Sequence, residues 1–252
     1  MSIKLGKLPA IVDKRNLKLA RLLKVLPIVP DAWDFDLWST LNIPTPMFAN
    51  TEWSCCVISS RAHQTLRFEA FEQRKVLKIT DKEVLAEYWK EGGGNGTTKP
   101  DNGLYLLNSL KEWRKTGWKA GGQLYDIYAF AEIDRAKQAE VKAGMFLLSG
   151  LYGGFVLPRS AEIQLNTGQP WAYMPGPYSA PGGWGGHCMY LCGYSHIGPT
   201  FVTWGKKQLA TWEWFWTYCD ELYGVVDNRN RFTKGSPVDI NKLDRFLKAV
   251  SS

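Results

Sequence analysis

A chain of 252 residues, 45% apolar and 13% aromatic, can bury a stable core without disulfides or metal clips, so one domain of one or two lobes is expected. The net charge of +7 comes from lysines and arginines interspersed with acids; the densest basic run, Lys14 to Lys24, carries no recognition motif, and no nucleic-acid partner is expected. No apolar leader follows Lys4 and Lys7, Gly144 to Pro158 is too short and glycine-broken to span a bilayer, and five cysteines are an odd number for a disulfide framework. These features predict a soluble, cytoplasmic protein with reduced thiols and no membrane partner.

In chain order, residues 1–30 read as a basic, proline-punctuated arm with a short amphipathic stretch from Leu17 to Val25. Asp31 to Asn50 sets aromatic residues among prolines, which predicts an extended segment pinned by its rings. From Cys55 or Cys56 to about Lys78 there is no Gly or Pro, and Val57, Ala62, Leu66, Ala70 and Phe71 recur at helical spacing, so a long buried helix begins at the cysteines. Thr80 to Glu83 resembles a capping signal before a second helix, VLAEYWK; a glycine-rich loop follows, then a third helix from Leu104 to Lys115, stopped at Gly117.

The composition then changes. AGGQLYDIYAFAEI reads as a strand, DRAKQAEVKAG as a short helix and MFLLSGLYGGFVL as strand. A loop dense in Gly, Pro and Trp, about Asn166 to Gly186, precedes a buried strand from His187 to Tyr194, whose partner is Pro199 to Gly205. The aromatic tail from Thr211 predicts a helical turn and a last strand, and a polar helix over about 237–250 closes the chain. Helices first and strands later make an α+β protein.

Three features converge on thiol chemistry. Cys56 opens a helix, where backbone N–H groups and the helix dipole favour a thiolate. His187 lies 131 positions downstream at the start of a buried strand, where an imidazole can pair with that thiolate and later protonate a leaving amine. Asn50, six residues before Cys56, carries an amide suited to a developing oxyanion. Cys55 is the rival nucleophile; Cys192 and Cys219 sit among apolar residues and read as core. His63 reads as a core, surface or supporting histidine on the helix, and His196 as solvated in a turn. A zinc site of Cys55, Cys56, His187 and Cys188 is disfavoured, because adjacent residues point apart and no C-x-x-C occurs. Neither GGNG nor PGGWGG has the spacing of a phosphate loop, and no cofactor is expected.

In order and spacing, Asn50 to Cys56 with its following helix, GGHCMYLCGY at His187 and FVTWG at Trp204 resemble the papain-like cysteine peptidases. KLGKLPAIVD, the VTWG turn and YCDELYGVV resemble a divergent bacterial and phage group of that family. The resemblance implies a two-lobed α+β fold: a helical lobe over about 50–120, a β lobe over about 121–235, and 31–252 as one domain. It also implies a peptide or protein substrate, and a tryptophan, Trp204, covering the histidine. This chain departs from the family pattern at Asn50, where glutamine is usual, at Trp53, where a disulfide-forming cysteine is common, and at Val202, where an asparagine orients the histidine; Thr203 is the available substitute. The competing expectation is an inactive papain-like module, such as a virion component, contacting neighbouring structural proteins through the arm. An open cleft favours the enzyme; a cleft filled by the arm favours the module.

Overall fold

The computed structural model describes residues 3–23, 25–94, 97–227, 241–243 and 245. In chain order the elements are α1 (Leu19–Leu22), β1 (Trp33–Asp34), α2 (Phe35–Ser39), α3 (Cys56–Gln73), α4 (Asp81–Lys90), α5 (Leu106–Thr116), β2 (Trp118–Ala120), β3 (Gln123–Tyr125) and β4 (Ile127–Glu132). They continue with α6 (Gln138–Leu147), β5 (Leu151–Leu157), α7 (Arg159–Asn166), β6 (Gly185–Tyr194), β7 (Pro199–Thr203), β8 (Lys206–Leu209), α8 (Trp212–Tyr218) and β9 (Cys219–Asp227). No helix among the described residues is long and apolar enough to cross a membrane.

The strands of β4-β9-β5-β6-β7-β8, with β1 added on β6, form a seven-stranded sheet whose pairings are all antiparallel. Two apolar cores flank the sheet. One gathers α3, α4 and α5 with Tyr152 and Val225 from the sheet; the other gathers the opposite sheet face with α6, α7 and α8 around Phe155, Trp171 and Trp214. This is the α+β class expected from the order of elements, in the two-lobed form that the family resemblance implies.

Several local expectations change for identifiable reasons. The segment from Asp31 to Asn50 is not extended throughout: the Asp34 side chain accepts from the Asp36 N–H and starts α2, which buries Phe35. Helix α3 stops at Gln73 because Arg74 takes a left-handed φ of 51°, which turns Val76, Leu77 and Ile79 back onto the helical core. MFLL belongs to α6 and not to a strand. Val141, Met145 and Leu148 make a helical stripe, and a short apolar run has no period of its own to distinguish the two states. The strand expected through Gly205 ends at Thr203: Trp204 and Gly205, with φ of 42° and 77°, form a two-residue hairpin turn into β8, a strand not anticipated from the sequence. Helix α7 is likewise additional, and the expected C-terminal helix over 237–250 lies largely outside the described residues.

Helix α3 is enclosed on every side, with each residue from Cys56 to Ala70 buried. Its two arginines are therefore paired with carboxylates internally. Arg61 reaches Glu87 at 3.2 Å, Glu91 at 2.6 Å and the Ser109 carbonyl at 2.9 Å, and lies over the Trp113 ring. Arg67 grips Asp36 with two bonds of 2.9 and 2.8 Å and covers the Tyr190 ring. Arg61→Ala leaves Glu91 without its buried cation, so unfolding in urea is expected to show a loss of about 3–5 kcal/mol. A loss below about 1 kcal/mol, the range of an exposed ion pair, would mean that the Arg61 guanidinium does not hold α3 to α4 and α5.

Candidate active site

Cys56 is the first residue of α3, with Cys55 as its N-cap. The turn before it is tight: Phe48 and Ala49 both hold left-handed φ values, 52° and 60°, a strain of about 1–3 kcal/mol each that the surrounding contacts maintain. The first turn of α3 is fastened to the sheet. Ser60 Oγ donates to the Cys188 carbonyl at 2.9 Å, and the Tyr152 hydroxyl donates to the Val57 carbonyl. The Cys56 sulfur in turn lies among backbone hydrogen-bonding groups of Cys188, Gly6 and Val57. Cys188 adjoins His187, so the first turn of α3, which carries Cys56, is fastened to the strand that carries the imidazole.

His187 is buried, and its Nε2 lies 2.7 Å from Thr203 Oγ1. Trp204 stacks on the imidazole, centroids 4.0 Å apart and planes 14° from parallel, and is backed by Trp184 at 5.3 Å. The strained turn at Trp204 is what lays the indole there. Val202, at the position where the family resemblance calls for asparagine, packs away from the site with Tyr190 and Cys192. Thr203 thus supplies the ring's contact. His187 Nδ1 is buried and has no hydrogen-bond partner among the described residues, so no bond joins the imidazole to the Cys56 sulfur in this closed form.

The cleft between these groups is filled by the N-terminal segment. Lys7 N–H donates to the Gly186 carbonyl at 3.1 Å, beside His187. On the other wall Leu104 N–H donates to Gly6 at 2.8 Å and Leu8 N–H donates to Leu104 at 2.9 Å, a parallel pairing. Gly6 has no room for a side chain, since a Cβ there would stand 1.9 Å from the Ser54 carbonyl oxygen. The Lys4 carbonyl accepts weakly from Asn50 Nδ2 at 3.5 Å and from Trp204 Nε1 at 3.4 Å, while Asn50 Nδ2 also donates to the Trp53 carbonyl at 3.0 Å. Beyond the cleft, Leu17, Leu19 and Leu22 enter the sheet-side core.

Enclosure sets the protonation state. Burial pushes the Cys56 thiol up to about 11, against the pull of the backbone groups around it and of the Lys7 ammonium. Burial alone brings the His187 imidazole down to about 3. With the arm seated, the pair at neutral pH is a thiol and a neutral imidazole, not the ion pair expected from the helix start.

The remaining thiols and imidazoles lie elsewhere. Cys55 points into the helical core, its sulfur 3.3 Å from the Phe48 carbonyl, and burial pushes it up to about 12. Cys188, Cys192 and Cys219 are buried, and all five cysteines are free. His63 packs on the Phe48 ring at 4.9 Å inside the fold, and His196 is exposed. Among the described residues no group of three or more His, Cys, Asp or Glu is placed to hold a metal ion. Gly6, Lys7 and Leu104 did not emerge from the sequence, although a glycine between two lysines in a basic arm was a visible irregularity.

Comparison of the fold assigns its class. The chain resembles xylellain, a cysteine protease from Xylella fastidiosa, with a TM-score of 0.67 at 15% identity, covering 89% of this chain and 96% of that one. It resembles procathepsin B S9 from Trypanosoma congolense with a TM-score of 0.60 at 13% identity, covering 89% and 87% of the two chains. A Carica candamarcensis cysteine protease in complex with E-64 aligns with a TM-score of 0.55 at 11% identity, covering 79% of this chain and 100% of that one. No protein-family model matches the sequence, and no curated protein does. The fold is that of the papain-like cysteine proteases.

The two buried histidines fix a pH dependence. Burial holds His187 at about 3 and His63 well below its ordinary value of 6.5, so both are neutral in the folded chain while the unfolded chain protonates them below about 6.5. Their stabilisation is present above pH 6.5 and is lost as pH falls towards the folded values. Each pH unit below 6.5 is expected to remove about 1.4 kcal/mol per histidine. His187→Gln should lessen the slope of urea stability between pH 6.5 and 4.5 by about one proton; an unchanged slope means the imidazole is already charged in the fold.

Proposed function

We propose that the chain is a papain-like cysteine peptidase or amide hydrolase, closed in this form by its own N-terminal segment. The observation that carries this reading is the state of His187. Its ring is held by Thr203 and covered by Trp204, yet Nδ1 is left buried and unpaired. Such an atom costs about 1–3 kcal/mol in a purely structural role. It suits a ring kept ready to exchange a proton with the neighbouring thiol.

Departure of residues 4–8 readmits water and relaxes both shifts, since burial is the largest cause of each. The Cys56 proton passes to His187 Nδ1, and the thiolate, favoured by the start of α3, attacks the acyl carbon. Electrons move onto the carbonyl oxygen, where the Cys56 N–H and Asn50 Nδ2, released from the Lys4 carbonyl, stabilise them. As the oxyanion collapses the C–N bond breaks, and the amine leaves with the His187 proton. Water then attacks the thioester, gives its proton to His187 and restores the thiol when the acid departs. Thr203 fixes the ring's orientation, and the substrate is a peptide or protein chain. Five free thiols suit a reducing, cytoplasmic setting.

The filled cleft favours a second reading, a permanently closed module in which the arm is a structural strand, as in a virion component. The two readings part at Cys56. Gly6→Ala prevents the arm from seating, so iodoacetamide at neutral pH should label Cys56 in that variant at least about tenfold faster than Cys192 or Cys219, with casein cleavage that Cys56→Ala abolishes. Equal, slow labelling of all three cysteines and no cleavage would establish the module.

A further inference from the structure

The wall of the cleft that holds Gly6 and Leu8 is also tied to the turn before Cys56. Asp101, on the loop leading to Leu104, receives the Ser54 N–H on both carboxylate oxygens at 3.1 Å, the Ser54 hydroxyl at 3.0 Å and the Tyr88 hydroxyl. Hydrogen bonds to an ionised acceptor are among the stronger ones. Tyr88 is buried on α4 and accepts in turn from the Gly103 N–H at 3.0 Å. Gly103 holds a left-handed φ of 74°, and a Cβ there would stand 2.1 Å from the Gly6 carbonyl oxygen. One loop, residues 101–104, therefore grips Ser54 on one side and the main chain lying in the cleft on the other.

The start of α3 needs an anchor from outside the helix. Its N-cap, Cys55, makes no side-chain bond to the helix N–H groups, and its sulfur turns instead to the Phe48 carbonyl at 3.3 Å. Ser60 and Tyr152 fasten the first turn on the sheet side. Asp101 and Tyr88 fasten the residue before the N-cap from the helical lobe, and a negative charge beside a helix N-terminus is favourable in itself. The carboxylate grips Ser54, so its effect reaches Cys56 along the main chain through Cys55. The carbonyl of that same Ser54 faces Gly6, where a Cβ would stand 1.9 Å from its oxygen. Ser54 is thus held between the loop and the chain in the cleft.

We infer that Asp101 is a positioning residue for Cys56: its carboxylate couples the seating of a peptide main chain on Leu104 to the placement of the first turn of α3. A chain that pairs with Leu104 orders residues 101–104, the ordered loop holds Ser54, and Ser54 sets the height of Cys56. Contacts remote from the reacting carbonyl are in this way converted into rate rather than affinity. The consequence for catalysis rests on the peptidase reading; the mechanical coupling does not.

The test uses the full chain. In hydrogen exchange, Asp101→Ala should speed the amides of residues 54–58 by about tenfold and leave those of 62–70 unchanged. Asp101→Asn, which keeps one acceptor oxygen, should fall in between, and it carries the same comparison if the alanine variant does not fold. In the Gly6→Ala background, tetrapeptidyl coumarylamides should be cleaved with a kcat at least about tenfold above that of single-residue acyl coumarylamides. Asp101→Ala should cut that ratio to about twofold. A residue that only stabilises the fold would raise exchange along the whole of α3 and lower kcat for both substrate lengths alike. Either of those results, or cleavage with a length ratio near one before Asp101 is changed, overturns the positioning role and leaves the peptidase reading standing. Localised exchange with no cleavage of either substrate supports the coupling and overturns the peptidase reading.

Discussion

The first turn of α3, which carries Cys56, is bolted to β6, the strand that carries His187. The Ser60 bond to Cys188 and the Tyr152 bond to Val57 fix the height of the helix on the sheet, and the backbone of Cys188 completes the surroundings of the sulfur. A helix seated this deeply has no solvent face, so its arginines carry their carboxylates inward with them. Interiors pack densely and transmit small displacements, and the placement of one sulfur therefore depends on contacts along the whole helix.

The same enclosure governs the chemistry. A helix N-terminus lowers a thiol pKa, but removal from water raises it, and here burial outweighs the backbone donors. The arm supplies part of that burial by threading between Leu104 and Gly186, which joins the two lobes through main-chain bonds that any sequence can make. Only two features of the arm are particular: Gly6, which permits the close approach, and Lys7, whose charge reaches the acids of β9. One backbone fit and one buried charge thus add to those main-chain bonds.

Orientation of the histidine illustrates how the tertiary structure replaces a missing group. Valine at 202 can accept nothing from an imidazole. The neighbouring Thr203, on the opposite face of β7, presents its hydroxyl to Nε2, and the left-handed turn that follows brings Trp204 over the ring. A hydroxyl both donates and accepts, so it serves either tautomer, where an amide oxygen would select one.

Much of this was readable in the sequence, because the relevant signals are local. The run without glycine or proline after Cys56, the capping box at Thr80 and the apolar strand at His187 each specify their own element, and the order of helices before strands specifies the α+β class. Apolar runs without a clear period misled at MFLL, and α2 depended on a single capping aspartate. The path of the arm, the choice of Thr203 over Val202 and the convergence of Lys7 with Asp220 and Glu221 join residues as far as 213 positions apart. No local propensity encodes such meetings. The sequence determined a cysteine at a helix start and a histidine on a strand; the tertiary structure alone decided that the two lie buried, neutral and covered, because desolvation depends on what packs from every side.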